Sequence, residues 1–389
     1  SLLTGCKKDK EEDPVVATEE KTDESKDDDT TGDDTTGDDT TGDETTGDET
    51  DKEYDVPKTY DFGESVSYSG QTDRLAMLKV LKEEVSESHT VGVNVDADVL
   101  EKIYTNTGSK SVNGKMVYEG FEGTIGETGK NLSGKTESNA KDAMLVLLDE
   151  VALYSGKMSE NEGAGLVERV GKGYILVNDK GQEYAQLVEK GLMGSCFYNQ
   201  IVKFYLSDGK IGEDIENVTK EEGKLYTKKQ HHFDEAFGYF GVPTDWDKAS
   251  SGDFWGKYCN SRNDRLNTNS IFDDFLKGRA AIDNNVHEKQ IQPVKDIITK
   301  LEKVAAGTAI NYFNKSKAQT DGNRLHSLTE GLCFLRACLY GNDDAKVTPG
   351  DVAEIEAALN NGNFWKITNT QIDDAVTKLA NASGLPSDL

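Results

Sequence analysis

The chain has 389 residues, 72 acidic against 44 basic side chains and a net charge of −28, which argues against nucleic acid as a partner, because polyanions are held by clustered Lys and Arg. Nothing in it approaches the about 18 consecutive apolar residues that a membrane-spanning helix needs. Residues 1–55 carry 22 acidic and 6 basic side chains, so they supply −16 of the −28 and the remainder of the chain is only moderately acidic.

Leu3-Thr4-Gly5-Cys6 reads as the tail of a bacterial lipoprotein signal, an apolar run and small residues ahead of the cysteine that becomes acylated. Ser1 to Gly5 is too short for a signal core, so the sequence is expected to start partway through the signal peptide, with Cys6 the lipidated first residue of the mature protein. The expected membrane attachment is therefore a lipid.

Residues 7–55 are almost all charge, Thr and Gly, with Thr-Thr-Gly-Asp-Asp/Glu recurring every five residues from Thr30 to Glu49. Such a composition buries too little apolar surface to offset its ordering entropy, and an extended, disordered acidic tether is predicted.

The 334 residues of 56–389 exceed the roughly 250–300 that one hydrophobic core usually covers, so two packed halves are expected. Helical periodicity dominates, and the predicted fold class is all-α, a two-lobed helical bundle behind the tether. Helices are predicted at 73–86, 96–105, 137–154, 181–205, 229–240, 270–306 with a break, 309–318, 322–340, 349–360 and 370–382. Tyr184, Leu187, Val188, Leu192, Cys196, Phe197, Ile201 and Tyr205 fall along one stripe of a long central helix, in which Gly191 and Gly194 would allow close packing. Ser270 with Asp273, Thr348-Pro349 with Asp351, and Thr370 with Asp373 read as N-caps ahead of a first-turn acid. Residues 104–134, rich in Gly, Thr, Ser and Lys, read as a long loop with a small hairpin. Cys196, Cys259, Cys333 and Cys338 sit in apolar helical contexts without CxxC spacing and read as buried thiols.

Chemistry is suggested by two similar patches. His231-His232-Phe233-Asp234-Glu235-Ala236 and His326-Ser327-Leu328-Thr329-Glu330-Gly331 each place Glu one helical turn after His, then a small residue and an apolar run. On a helix these pairs share a face, and His232 with Glu235 adds an i,i+3 pair. If the patches met, His231, His232, Glu235, His326 and Glu330 could form one divalent metal site for iron or zinc. The alternative is that each is a buried pair orienting its helix. His89 and His287 read as surface residues.

Arg74 could bind an anion or pair with an acid, and the acidic surplus favours pairing. Trp246, Trp255 and Tyr258 lie in a Gly/Asp/Ser-rich stretch and could form an aromatic binding surface or pack in the core. No second His completes a zinc-peptidase motif after His287-Glu288, and there is no nucleophile elbow, P-loop or dinucleotide fingerprint.

Val56-Pro57-Lys58-Thr59-Tyr60-Asp61-Phe62, Val66 to Leu75, Lys190-Gly191-Leu192-Met193-Gly194, His231 to Gly241 and His326 to Gly331 together resemble an uncharacterised lipoprotein family of the Bacteroidetes, the domain of unknown function 4856. That family is distantly similar to the imelysin-like proteins, two-lobed helical bundles of the envelope with a Gly-x-His-x-x-Glu motif, tied to iron uptake and once classed as metallopeptidases. His232 and Glu235 match the core of that motif, with Gln230 in place of its Gly. The resemblance implies an outer-membrane lipoprotein on the cell-surface or periplasmic face, with a non-enzymatic binding role in iron or other metal acquisition beside an outer-membrane transporter. The alternatives are an imelysin-type metal-dependent hydrolase and an adaptor without a small ligand.

Overall fold

The structure, a computed structural model, describes residues 53–107, 111–112, 115–116, 128–250 and 252–389. The tether expected over 7–55 lies, up to Lys52, outside the described residues. The chain beyond it is all-α, as predicted, with helices α1 (Ser69–Glu87), α2 (Ala97–Thr105), α3 (Ser138–Tyr154), α4 (Tyr184–Leu192), α5 (Asp208–Ile211), α6 (Lys228–Phe240), α7 (Phe254–Leu266), α8 (Ile271–Asp283), α9 (His287–Ser316), α10 (Asp321–Ala337), α11 (Pro349–Ala358) and α12 (Asn369–Ser383). Two short antiparallel ladders accompany them, β1 (Ser111–Val112) with β2 (Lys115–Met116), and β3 (Gly165–Arg169) with β4 (Gly173–Val177). The buried apolar side chains form one connected cluster.

The central rod runs where the periodicity put it, but it changes pitch. After α4 the chain continues as two π-helical runs, Met193–Tyr198 and Gln200–Tyr205. All eight residues of the predicted stripe are buried. Gly194 has the expected role: a Cβ there would lie 3.1 Å from both the Cα and Cβ of Ala337, so a larger residue would push α10 away.

Two predicted helices merge. The break falls at Asn284–Val286, where Asn285 takes a left-handed φ of 54°, and α9 then runs unbroken through Gly307-Thr308, where the periodicity predicts a gap. Gly307 is there for packing, since a Cβ on it would meet Leu266 at 2.7 Å. Thr348 and Asp351 form the expected capping box. For α12 the box is built two residues earlier, from Thr368 and Gln371. Ser270 makes no cap; its hydroxyl donates to the Asn267 carbonyl in a 3-10 turn leading into α8. Helix α7 and the β3–β4 hairpin were not predicted.

Candidate functional site

Each His–Glu pair predicted one turn apart is formed. His231 Nε2 lies 3.9 Å from Glu235 Oε1 on α6, and His326 Nε2 lies 3.4 Å from Glu330 Oε2 on α10. Among the described residues the five do not come together as a group that could hold a metal ion. Helix α6 packs mainly on the second π run, α1 and α8, whereas α10 packs on α9 and α4, so the two patches face different neighbours.

On α6 the rings are held by backbone. His231 Nδ1 is 3.0 Å from the Ser67 carbonyl and His232 Nδ1 is 2.7 Å from the Lys210 carbonyl. A carbonyl only accepts, so both imidazoles carry their proton on Nδ1. Burial pushes the His232 pKa down to about 4. The i,i+3 pairing expected for His232 and Glu235 does not form, because Glu235 Oε1 instead accepts from Gln71 Nε2 at 2.8 Å and the Tyr205 hydroxyl at 3.0 Å.

On α10 His326 bridges two carboxylates. Its Nδ1 is 2.5 Å from Glu183 Oε2 at the start of α4, while Nε2 faces Glu330, which also accepts from the Tyr258 hydroxyl at 2.7 Å. Burial alone would raise the pKa of Glu183, but the His326 hydrogen bond and charge outweigh it and hold the carboxyl below its usual range. His89 is no surface residue: its ring approaches Glu183 to 4.0 Å, and burial lowers its pKa. Among the described residues no group of three or more His, Cys, Asp or Glu is placed to hold a metal ion.

Between the His and Glu of the first patch lies a residue that sequence reasoning passed over. Asp234 is fully buried; its Oδ1 accepts from Arg279 Nε at 2.7 Å and from the Tyr60 hydroxyl at 2.8 Å, and its Oδ2 from the Ser67 amide at 3.1 Å. This ties the residues before α1 to α6 and α8. Its signal in sequence is only an acid at an apolar helix position, with its cation 45 residues away.

Among the described residues Arg74 makes no ion pair with an acid. Its Nε donates to the Asn131 carbonyl at 2.7 Å and its Nη1 to the Gly70 carbonyl at 3.1 Å, so the backbone orients a guanidinium that is only 7% exposed. Glu235, Tyr205, Tyr239 and Cys196 surround it. Trp255 is a core residue, fully buried, with its indole N–H donated to the Met193 carbonyl at 2.8 Å. All four described cysteines are buried free thiols, as expected. Burial pushes the pKa of Cys196, Cys259 and Cys333 up to about 12. Cys6 lies outside the described residues. A cleft of about 660 Å³ between the ends of α7 and α12, lined by Asn263, Arg265, Asn267, Lys303, Lys346 and Leu385, shares no residue with either patch.

Comparison with protein families gives a match over residues 57–385 to the family described as "Domain of unknown function (DUF4856)". No curated protein and no solved structure matches.

Proposed function

Since the chain belongs to the DUF4856 family, whose description specifies no activity, we propose from its chemistry that it is a lipid-anchored protein of the bacterial outer membrane with a non-enzymatic binding role. The observation that carries the non-enzymatic part is the fate of the histidines, the groups best suited to proton transfer near neutral pH. Each ring of the two patches is held by a partner from another element: Ser67 for His231, Lys210 for His232 and Glu183 for His326. They join elements together. A role in iron or other metal acquisition stays within this proposal without a resident metal centre built from the two patches, because among the described residues no group is placed to hold a metal ion. A Bacteroidetes source and kinship with imelysin-like proteins belong to this proposal through sequence motifs and helical architecture alone, because His232 and Glu235 have separate partners.

The anchor rests on Leu3-Thr4-Gly5-Cys6 ahead of the acidic tether. Among the described residues no helix is long and apolar enough to cross a membrane. Cys6→Ser is expected to move the full-length precursor's product from the membrane fraction to the soluble envelope fraction, since acyl chains supply the apolar burial that holds such a protein in place. Retention in the membrane would reject the anchor. Elemental analysis of wild-type protein purified without chelators is expected to give well under one metal per chain; a stoichiometric metal would overturn the non-metal binding reading.

A further inference from the structure

Arg74 is one of four cations gathered where α1 meets the second π run. Lys135 Nζ lies 5.6 Å from the Phe204 ring centroid and 5.9 Å from that of Tyr205, and Lys210 Nζ lies 4.4 Å from Phe204. Lys130 and Arg74 both border Gly70: a Cβ there would be 3.2 Å from Lys130 Cε and 3.5 Å from Arg74 Nη1. Lys135 and Lys210 make no ion pair among those of the described residues, although both are half-buried. Burial lowers the Lys135 pKa, and the nearby Arg74 and Lys210 charges act in the same direction.

The acids facing this group are Glu235 and, beside Arg74 and Lys130, Asp73. Glu235 is already engaged by Gln71 and Tyr205. Next to Arg74 the Tyr239 hydroxyl is fully buried, with the guanidinium as its neighbour and no acceptor for its own proton. A buried hydroxyl without an acceptor and four cations that outnumber the two acids facing them are each costly by themselves, and both are satisfied by the same addition, an oxyanion. That four cations gather here in a chain of net charge −28 makes the placement chemically pointed. The cleft between α7 and α12 is a weaker candidate, because Arg265 is already paired with Asp388 at 2.8 Å and Lys346 lies 3.8 Å from where a Cβ on Gly384, at the end of α12, would sit.

We infer that Arg74, Lys135, Lys210, Tyr205 and Phe204 together border a binding site for a small, multiply charged oxyanion, with Arg74 held ready by the Gly70 and Asn131 carbonyls and the aromatic rings walling one side. This rests on the proposed binding role and gives it a ligand class. Calorimetric titration of the full chain at low ionic strength, with inorganic phosphate in one arm and citrate in the other, tests it and separates phosphate from carboxylate recognition.

Saturable binding in at least one arm is expected, weakened about tenfold or more by Lys135→Met and by Lys210→Met, since a tenfold loss is about 1.4 kcal/mol and charge-assisted hydrogen bonds are worth about that much. Both variants keep an apolar stem over the rings, and an unchanged melting temperature certifies their fold. Lys303→Met should leave affinity unchanged. Absence of saturable binding in both arms overturns the site while leaving the Cys6 fractionation result standing. Equal affinity in wild type, Lys135→Met and Lys210→Met would mean an adventitious ion only, and overturns it too.

Discussion

His231 and His232 are adjacent in sequence and differ in what surrounds them. His231 stacks on Tyr226 with ring centroids 4.3 Å apart and its side chain is 24% exposed, whereas His232 is buried and its pKa is pushed down to about 4. The unfolded chain takes up a proton at this position near pH 6.5 and the folded chain only near pH 4. Stability from the neutral imidazole is thus fully present above about pH 6.5 and is lost as pH falls through this window, by about 3 kcal/mol at most. His232→Gln, which keeps a donor for the Lys210 carbonyl, should flatten the pH dependence of unfolding free energy between pH 6.5 and 4 in denaturant titrations. Parallel profiles for wild type and variant would show that His232 is protonated in the folded state. The neighbouring Glu in each patch was legible because i,i+4 spacing fixes who meets whom on a helix. Glu183 and the Lys210 carbonyl were not, because only the tertiary fold brings them to His326 and His232. Arg74 misled for a related reason: an acidic composition says nothing about which acid is within reach of one guanidinium.

At the scale of elements, periodicity found most helices, and local chemistry decided where it failed. Helix α7 went unseen because Gly252, Asp253 and Gly256 made its first turn look like loop, although Phe254, Trp255, Tyr258 and Cys259 recur at helical spacing and are buried. The β3–β4 hairpin had its own signal, Gly171-Lys172-Gly173 between two runs rich in Val, Leu and Ile, with Gly171 and Gly173 at φ of 76° and 84°. The small residue following the second His–Glu pair proves to be a packing device. A Cβ on Gly331 would lie 2.6 Å from the ring of Phe313 on α9, so the Gly lets α10 sit close to that helix. Gly331→Ala should destabilise the protein by about 1–3 kcal/mol despite the better helix propensity of Ala, since overpacking a filled contact forces side chains or backbone to move. Chemical denaturation would read this as a lower midpoint with unchanged slope, and a stabilised variant would mean that Phe313 turns aside without cost.

For the whole molecule, the physical start of the folded domain can be set against the start of the family match at residue 57. Residues 1–52 offer mainly charge, Thr and Gly. The chain just after the match begins is of another kind. Tyr60 is 1% exposed, stacks on Phe237 at 3.7 Å, donates its hydroxyl to Asp234 and its amide to the Thr244 carbonyl. Phe62 packs edge-on against Tyr60, and Arg279 lies 5.0 Å above the Phe62 ring. A chain starting at residue 53 should therefore melt within about a degree of full length, because charged segments without apolar contacts add little to stability. A chain starting at residue 63 loses the Tyr60 ring from the core and leaves the Asp234–Arg279 pair short of one donor. Removing a buried aromatic side chain alone costs about 3–5 kcal/mol, and in a domain of this size each kcal/mol lowers the melting temperature by roughly 2–4 °C. The second truncation should thus melt at least about 6 °C lower, or fail to fold. The two truncations decide between alternatives when melted together by circular dichroism. A large loss already at residue 53 would mean that the acidic segment docks on the helical domain, and no loss at residue 63 would mean that Tyr60 packs without contributing to stability.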